Sequence, residues 1–327
     1  MTKYVINRGK KYTWVMLIVV LLGAISTMAT QYIYKFTGFL IDYGLNYNGV
    51  RYEGPLTYLF SGKYGAYGTG KLMLTLSVCL VLCALISYVM GYCSSYVQMR
   101  GQHVIANGYR REIYYKSRGV KLPYSSGDFI VLLHEDIYQP GTIFISYYSG
   151  IISTVYGIIF TMMMLSSISP YLLITPIVMS PLLIYFSIKY HKATYKENQL
   201  YRSVDGELKE TITRVTGTQL QSEYGLFRDV NKKHTKERKQ LSHVSNNYNV
   251  ILNTIKLSIY IISCTVAGVL AIKGKILIGE YLIFTTFINT IYSQILTLIN
   301  YFITIKSVQP RIEKVRELLE VHLNETK

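Results

Sequence analysis

Acidic residues are scarce in this chain, and long stretches carry no charge of either sign. The 327 residues include 18 Asp and Glu against 34 Lys and Arg. The uncharged runs are residues 14–34, 72–98, 137–188 and 281–305, and a fifth run, 250–272, is interrupted by Lys256 alone. Between these runs the sequence lacks a long mosaic of charged and apolar residues, so we expect no separate soluble domain.

Cysteine is also scarce, and a phosphate-binding loop is missing. The four cysteines, Cys79, Cys83, Cys93 and Cys264, all lie in the apolar runs, where thiols usually pack as small apolar groups. We therefore expect no metal site and no redox role. The pattern Gly-x-x-x-x-Gly-Lys-Ser/Thr, whose backbone amides hold nucleotide phosphates, does not occur in the sequence. Neither catalytic residues nor nucleotide hydrolysis by this chain itself is expected.

The apolar runs have the length of membrane spans. About 20 apolar residues rising 1.5 Å each cross a hydrocarbon core of roughly 30 Å. The run 137–188 is long enough for two helices, and Ser166-Ser-Ile-Ser-Pro170 is the natural break between them. The sequence thus predicts an all-α membrane protein with six transmembrane helices.

Basic residues are distributed unevenly between the connecting segments. If the six spans alternate in direction, 28 of the 34 Lys and Arg fall on one side, which the positive-inside rule assigns to the cytoplasm. Both termini are therefore predicted to be cytoplasmic, and we expect a multi-pass protein of the plasma (inner) membrane. Nucleic-acid binding, the competing explanation of a net charge of +16, is disfavoured because the basic segments lack Arg-Gly or aromatic-basic clusters.

The two long inside segments are predicted to be helical. Residues 190–239 contain no proline, and charges such as those of Glu207 and Lys209 suggest pairs along one helix. The spans should therefore continue as helices for about 20–30 Å into the cytoplasm. Such an extension presents a surface to a partner or is simply solvated, and the sequence leaves both open.

Six short segments, in this order and spacing, resemble the membrane domain of ABC exporters of the six-helix, domain-swapped type. The resemblance covers essentially the whole chain. The segments are Lys10–Trp14 as an N-terminal elbow, Ile41-Asp42 closing helix 1, Leu122-Pro123-Tyr124 with Gly127–Ile130 and Asp136 as the first intracellular loop, Glu210 to Glu223 as the second coupling segment, Gly274–Glu280 as the turn into helix 6, and Lys314–Glu320 as the lead into a nucleotide-binding domain.

The resemblance implies a function and a set of partners. The chain would be the membrane-spanning half of an ATP-driven exporter that moves an amphipathic or peptide-like substrate by alternating access. A second transmembrane domain, identical or related, would complete the cavity within the lipid bilayer. This chain would bind no cofactor, and ATP with Mg²⁺ would act through separate nucleotide-binding domains. The implied division is an elbow at 1–13, a six-helix domain at 14–305, and a linker at 306–327.

The sequence also departs from this family. Only three residues separate Pro123 from Gly127, so the first coupling helix is expected to be shorter than usual. The nucleotide-binding domain itself is missing. Two other classes therefore remain open, a secondary transporter or channel that works without ATP and a membrane sensor or scaffold. Secondary transporters usually carry acidic residues within their spans, and the runs of this chain have none.

Two groups of residues are candidates for functional contacts. Resemblance assigns coupling to the nucleotide-binding domain to Leu122, Pro123, Tyr124, Ile212, Val215 and Gln219. Polar side chains at helical spacing in the second and sixth spans either line a substrate cavity or form hydrogen bonds between helices. These cavity candidates are Tyr88, Tyr92, Thr285, Asn289, Tyr292 and Asn300.

Lys256 is the one charged residue within a predicted span. It lies about 10 Å along the helix from Val250. We expect its side chain to extend toward the cytoplasmic headgroups, because Asn246, Asn247 and Asn249 place the membrane boundary nearby. The alternative is an ammonium that faces the cavity and meets a carboxylate or phosphate on the cargo.

Overall fold

Six long helices make up most of the chain. The computed structural model describes residues 9–45, 69–116, 132–217 and 224–324. The helices are α1 (Thr13–Leu45), α2 (Thr69–Lys116), α3 (Tyr148–Ser166), α4 (Ile174–Gly217), α5 (Tyr224–Ile272) and α6 (Ile278–Asn324). Shorter helical turns precede α1, α3 and α4, and the described residues contain no β-strand. An all-α fold is therefore confirmed.

Each of these helical segments contains a stretch that is long and apolar enough to cross a membrane. A helix satisfies its own backbone hydrogen bonds, and this allows an apolar segment to exist without water. The predicted break between the third and fourth spans is confirmed, since α3 ends at Ser166 and a 3-10 turn begins at Pro170. The predicted tight turn before α6 contains Gly274 in the left-handed region, at φ 68°, a conformation that glycine adopts at little cost.

The helical run that leads into α3 is irregular. Two π-helical segments, Leu132–Asp136 and Thr142–Tyr147, flank the short α-helical segment Tyr138–Gly141. Pro140 lies in that short segment and has no backbone N–H to donate to the preceding turn. Wider turns on both sides accommodate the missing hydrogen bond.

Four helices continue far beyond their apolar runs. The longest extensions are those of α4 after Ile188 and of α5 before Val250, each roughly 40 Å at the rise of an α-helix. The extensions of α2 and α6 are shorter, each roughly 30 Å by the same measure. The prediction that the inside segments are helical is confirmed for the described residues.

Two buried clusters hold the bundle together. The first, toward the end of the molecule that carries the extensions, joins α1, α2, the run before α3, and α6, and includes Ala106, Ile137, Ile145 and Val315. The second, near the opposite end, joins α3, α4, α5 and α6. The first cluster contains no residue of α4 or α5, so the extended part of these two helices is held mainly by their contacts with each other.

The contacts between the extensions of α4 and α5 are largely polar. Lys233 Nζ lies 2.8 Å from Glu207 Oε2, and His234 Nε2 lies 3.2 Å from Asp205 Oδ1. Lys209 pairs with Asp205 one turn away at 3.1 Å. The expected pairing of Glu207 with Lys209 is thus replaced by an interhelical one, because residues two apart on a helix do not face each other.

At the end of the molecule opposite the extensions, α1 and α6 approach closely. The Gly279 backbone N–H donates to Asp42 Oδ1 at 2.6 Å, and the Asp42 carboxylate is buried. An anionic side chain is well placed at the positive N-terminal end of α6. Gly38 and Gly279 face each other across the contact, and neither position has space for a β-carbon. This junction fixes the start of α6 against the end of α1.

Candidate functional site

Polar side chains form a continuous line along one face of α6. We call this line the α6 polar stripe; it consists of Thr286, Asn289, Ser293, Thr297, Asn300 and Thr304. At 100° per residue the six positions fall within about 80° of arc. Asn289, Thr297 and Asn300 are exposed, and the other three are half-buried. The stripe therefore runs along nearly the whole apolar run of α6 and faces out of the single chain.

The hydroxyls of the stripe are bonded within their own helix. Ser293 donates to the Asn289 carbonyl at 2.8 Å, Thr297 to the Ser293 carbonyl at 2.9 Å, and Thr304 to the Asn300 carbonyl at 2.8 Å. Hydroxyls satisfied in this way can be tolerated against lipid.

The two amides of the stripe have no such solution. The side chain of Asn300 hydrogen-bonds to His191 of α4, at the end of the stripe that points toward the extensions. Asn289 lies further along the apolar run, and its side chain has no hydrogen-bond partner within the described chain. An exposed amide in that position is unfavourable against lipid. Asn289 thus favours a partner or a watery surface next to the stripe.

Lys256 of α5 reaches this stripe. Its Nζ donates a hydrogen bond of 2.8 Å to Ser293 Oγ, and its side chain is half-buried. The expected extension toward the cytoplasmic headgroups is therefore corrected, because the stem crosses to α6 instead. Ser293 uses its own proton for the Asn289 carbonyl and offers a lone pair to the ammonium.

The ammonium lies at the middle of the apolar layer. Ser293 is the central residue of the run 281–305, roughly 18 Å from either end. Lys256 is similarly deep, because it lies roughly 24 Å from the end of α5 at Ile272. A lysine at the centre of a bilayer costs about 3 kcal/mol on insertion scales. Such residues usually face a water-filled cavity or a counter-charge.

The structure divides the predicted cavity residues of α6. Asn289 and Asn300 belong to the exposed stripe, and Thr285 lies at its edge and donates to the Leu282 carbonyl. Tyr292 instead is fully buried in the second cluster, and its hydroxyl lies 3.0 Å from Ser263 Oγ of α5. Tyr292 is therefore a packing residue within the single chain.

The tyrosines predicted on α2 lie on a different kind of surface. Tyr88 is 74% exposed and Tyr92 is 64% exposed, and Tyr92 stacks on Tyr96 one turn further along. The same face continues through the exposed Val81 and Leu85. Because this face is mainly apolar, it differs from the α6 polar stripe and resembles a surface for lipid or another helix.

The predicted coupling residues are only partly described. Leu122, Pro123, Tyr124 and Gln219 lie outside the described residues, and for Val215 only the helical backbone is described. Ile212, near the end of α4, is 43% exposed. These assignments stay predictions.

Reasoning from the sequence missed Ser293, Thr297 and Thr304, and it did not connect Lys256 with α6. The signal was available for the stripe, since polar residues recur at intervals of three and four between positions 286 and 304. The link between Lys256 and Ser293 is a contact between helices, and the spacing within one helix contains no information about it. In the described part of the chain, no group of three or more His, Cys, Asp or Glu could hold a metal ion.

The fold and the stripe define a class, namely a six-helix bundle of membrane-spanning dimensions with a polar face on one helix. No protein-family model matches the chain, and a comparison with curated proteins finds no match either.

Proposed function

We propose that this chain is the membrane-spanning half of an ATP-driven exporter of the ABC type. The observation that supports this best is the pair formed by α4 and α5, which continues past the apolar runs for roughly 40 Å. A helical pair of that length is stiff, because its backbone hydrogen bonds are internal. It can transmit a push at its tip to the membrane-spanning part.

The α6 polar stripe supports the transport part of the proposal. Two copies of the chain, or this chain and a related one, would place two stripes around a common path, and the stripe's amides would then face water and cargo instead of lipid. Alternating closure of that path would move an amphipathic or peptide-like substrate outward. ATP and Mg²⁺ would act in separate nucleotide-binding domains, while this chain supplies the path and the levers.

A direct test combines the purified chain, in liposomes, with a candidate nucleotide-binding domain. We expect hydrolysis of ATP that is stimulated by a transported amphipath and that requires both components. Movement of the amphipath without nucleotide would instead favour a secondary transporter or channel. Neither movement nor hydrolysis, with a retained binding partner on the cytoplasmic side, would favour a sensor or scaffold.

The proposed orientation predicts labelling from opposite sides. With the four native cysteines replaced by alanine, Gly49→Cys should react with an impermeant maleimide in intact cells, because the segment between the first two spans lies outside. Ser203→Cys, on the extension of α4, should react only after the cells are opened. Reaction of both variants in intact cells would contradict the topology.

The proposed coupling role predicts an effect at the end of α4. Replacing Ile212 and Val215 by aspartate, in the assembled transporter, should abolish cargo-stimulated ATP hydrolysis while the chain stays folded. An apolar patch at i and i+3 can enter a groove of the partner, and a carboxylate buried there without a counter-charge is unfavourable by several kcal/mol.

Leu200→Asp is the matched control for that variant. Leu200 is exposed on the same helix, 46% against 43% for Ile212, but lies about three turns closer to the membrane. We expect near-normal stimulation in this control. Unchanged stimulation in the double variant would remove Ile212 and Val215 from the coupling surface.

A further inference from the structure

We infer that Lys256 and Ser293 form an anion-binding subsite, halfway across the membrane, that accepts a carboxylate group of the cargo. The inference deepens the proposed function and rests on it in one respect, namely that the α6 polar stripe faces a path open to water. It adds a chemical class of substrate, an amphipath with a single carboxylate, and it assigns the residues that would recognise it.

The first argument is the missing counter-charge. All 18 acidic residues of the chain lie outside the five apolar runs, and within the described residues the ammonium of Lys256 bonds only to the Ser293 hydroxyl. Along α6, the nearest acidic residue toward the N-terminus is Glu280, roughly 20 Å from Ser293. The chain therefore places a cation at mid-depth and supplies no anion for it at that level.

The second argument concerns the donors that remain. An ammonium has three N–H groups, and one of them is used by Ser293. Two are left for the two oxygens of a carboxylate. The amide of Asn289, one turn away on the exposed stripe, is a further donor without a described partner. Because Ser293 donates to the Asn289 carbonyl, its hydroxyl can only accept from Lys256, and this fixes the position of the ammonium.

Charge balance favours a carboxylate over a phosphate monoester. One lysine neutralises one negative charge, and a dianion would leave a net negative charge in the apolar layer, where an unpaired charge is costly. Lysine also acts as a compact point charge, whereas phosphate and other multivalent groups are usually held by several donors or by arginine. The apolar residues that surround the stripe suit an aliphatic or aromatic body attached to that carboxylate.

The subsite can be tested by thiol labelling, which requires neither nucleotide nor transport. In a variant whose four native cysteines are alanine, Asn289→Cys places a thiol one turn from Ser293. We expect the anionic sulfonatoethyl methanethiosulfonate to react faster than the cationic trimethylammonioethyl reagent, by about tenfold or more, because a nearby positive charge attracts one reagent and repels the other. Adding Lys256→Gln should remove this preference, and Lys256→Arg should keep it.

Lys306→Gln is the matched control, because it removes a lysine that is exposed on α6 beyond the apolar run. It should leave the preference unchanged. A preference that survives Lys256→Gln would overturn the inference, and so would a thiol at position 289 that reacts with neither reagent. These outcomes do not depend on the exporter proposal, which would fail instead by a lack of ATP-dependent movement.

The carboxylate assignment has its own measurement. Dodecanoate should slow the labelling of Asn289→Cys, while dodecanamide, which has the same chain without the charge, should not. In the Lys256→Gln background the two compounds should behave alike. Equal protection by both compounds in the presence of Lys256, or protection by neither, would refute a carboxylate subsite.

Discussion

Gly279→Ala is expected to destabilise the chain by about 3 kcal/mol, at the upper end of the range for overpacking a close contact. A β-carbon at this position would overlap the Gly38 carbonyl oxygen and the Asp42 carboxylate. The obstacle is partly backbone, so it cannot be relieved by rotating a flexible side chain. The junction of α1 with α6 would have to open. The measurement is the apparent midpoint of thermal unfolding in detergent.

Gly206→Ala is the matched control for this prediction. Gly206 lies within α4, and a β-carbon there would meet nothing within 4 Å. Alanine inside a helix is more favourable than glycine by roughly 0.5–1 kcal/mol, so this variant should be slightly more stable than the parent. If the two variants behave alike, the close approach of Gly38 and Gly279 is wrong.

The membrane character of the fold could be predicted because its cause is local. An uncharged run of about 20 or more residues reports its own solvent, and a basic excess reports the side of the connecting segment. The break before Pro170 and the turn at Gly274 are local in the same sense. The π-helical segments around Pro140 were not predicted, because run length does not reveal how a chain adjusts its turns around a missing donor.

The site could be predicted only in part, because spacing gives relative angles and not the direction in which a helix faces. Asn289 and Tyr292 are three residues apart and differ by about 60° around the axis. That difference places one on the exposed stripe and the other inside the second buried cluster. Likewise, Glu207 with Lys233 and Lys256 with Ser293 are contacts between helices. They depend on how the bundle packs, and single-helix periodicity cannot supply them.

Tyr292→Ala is expected to have the largest effect on stability, about 3–5 kcal/mol, as for other large aromatic residues truncated in a core. Tyr292 is the largest of the fully buried side chains, and it is packed with Phe284, Phe287 and Ile288 of the same helix. Truncation would leave a cavity between α5 and α6. The apparent unfolding midpoint of the purified chain should fall by far more than for any change on the stripe.

Two further variants separate packing from cargo contact at this position. Tyr292→Phe keeps the ring and removes only the hydroxyl that lies 3.0 Å from Ser263 Oγ, so it should be destabilised by about 1 kcal/mol and transport normally. Asn289→Ala should change stability by less than about 0.5 kcal/mol, because its side chain is exposed, yet alter the response to cargo. A reversed result, with Tyr292→Phe defective in transport and Tyr292→Ala fully stable, would return Tyr292 to the lining of the path. The buried position of its ring argues for the first outcome.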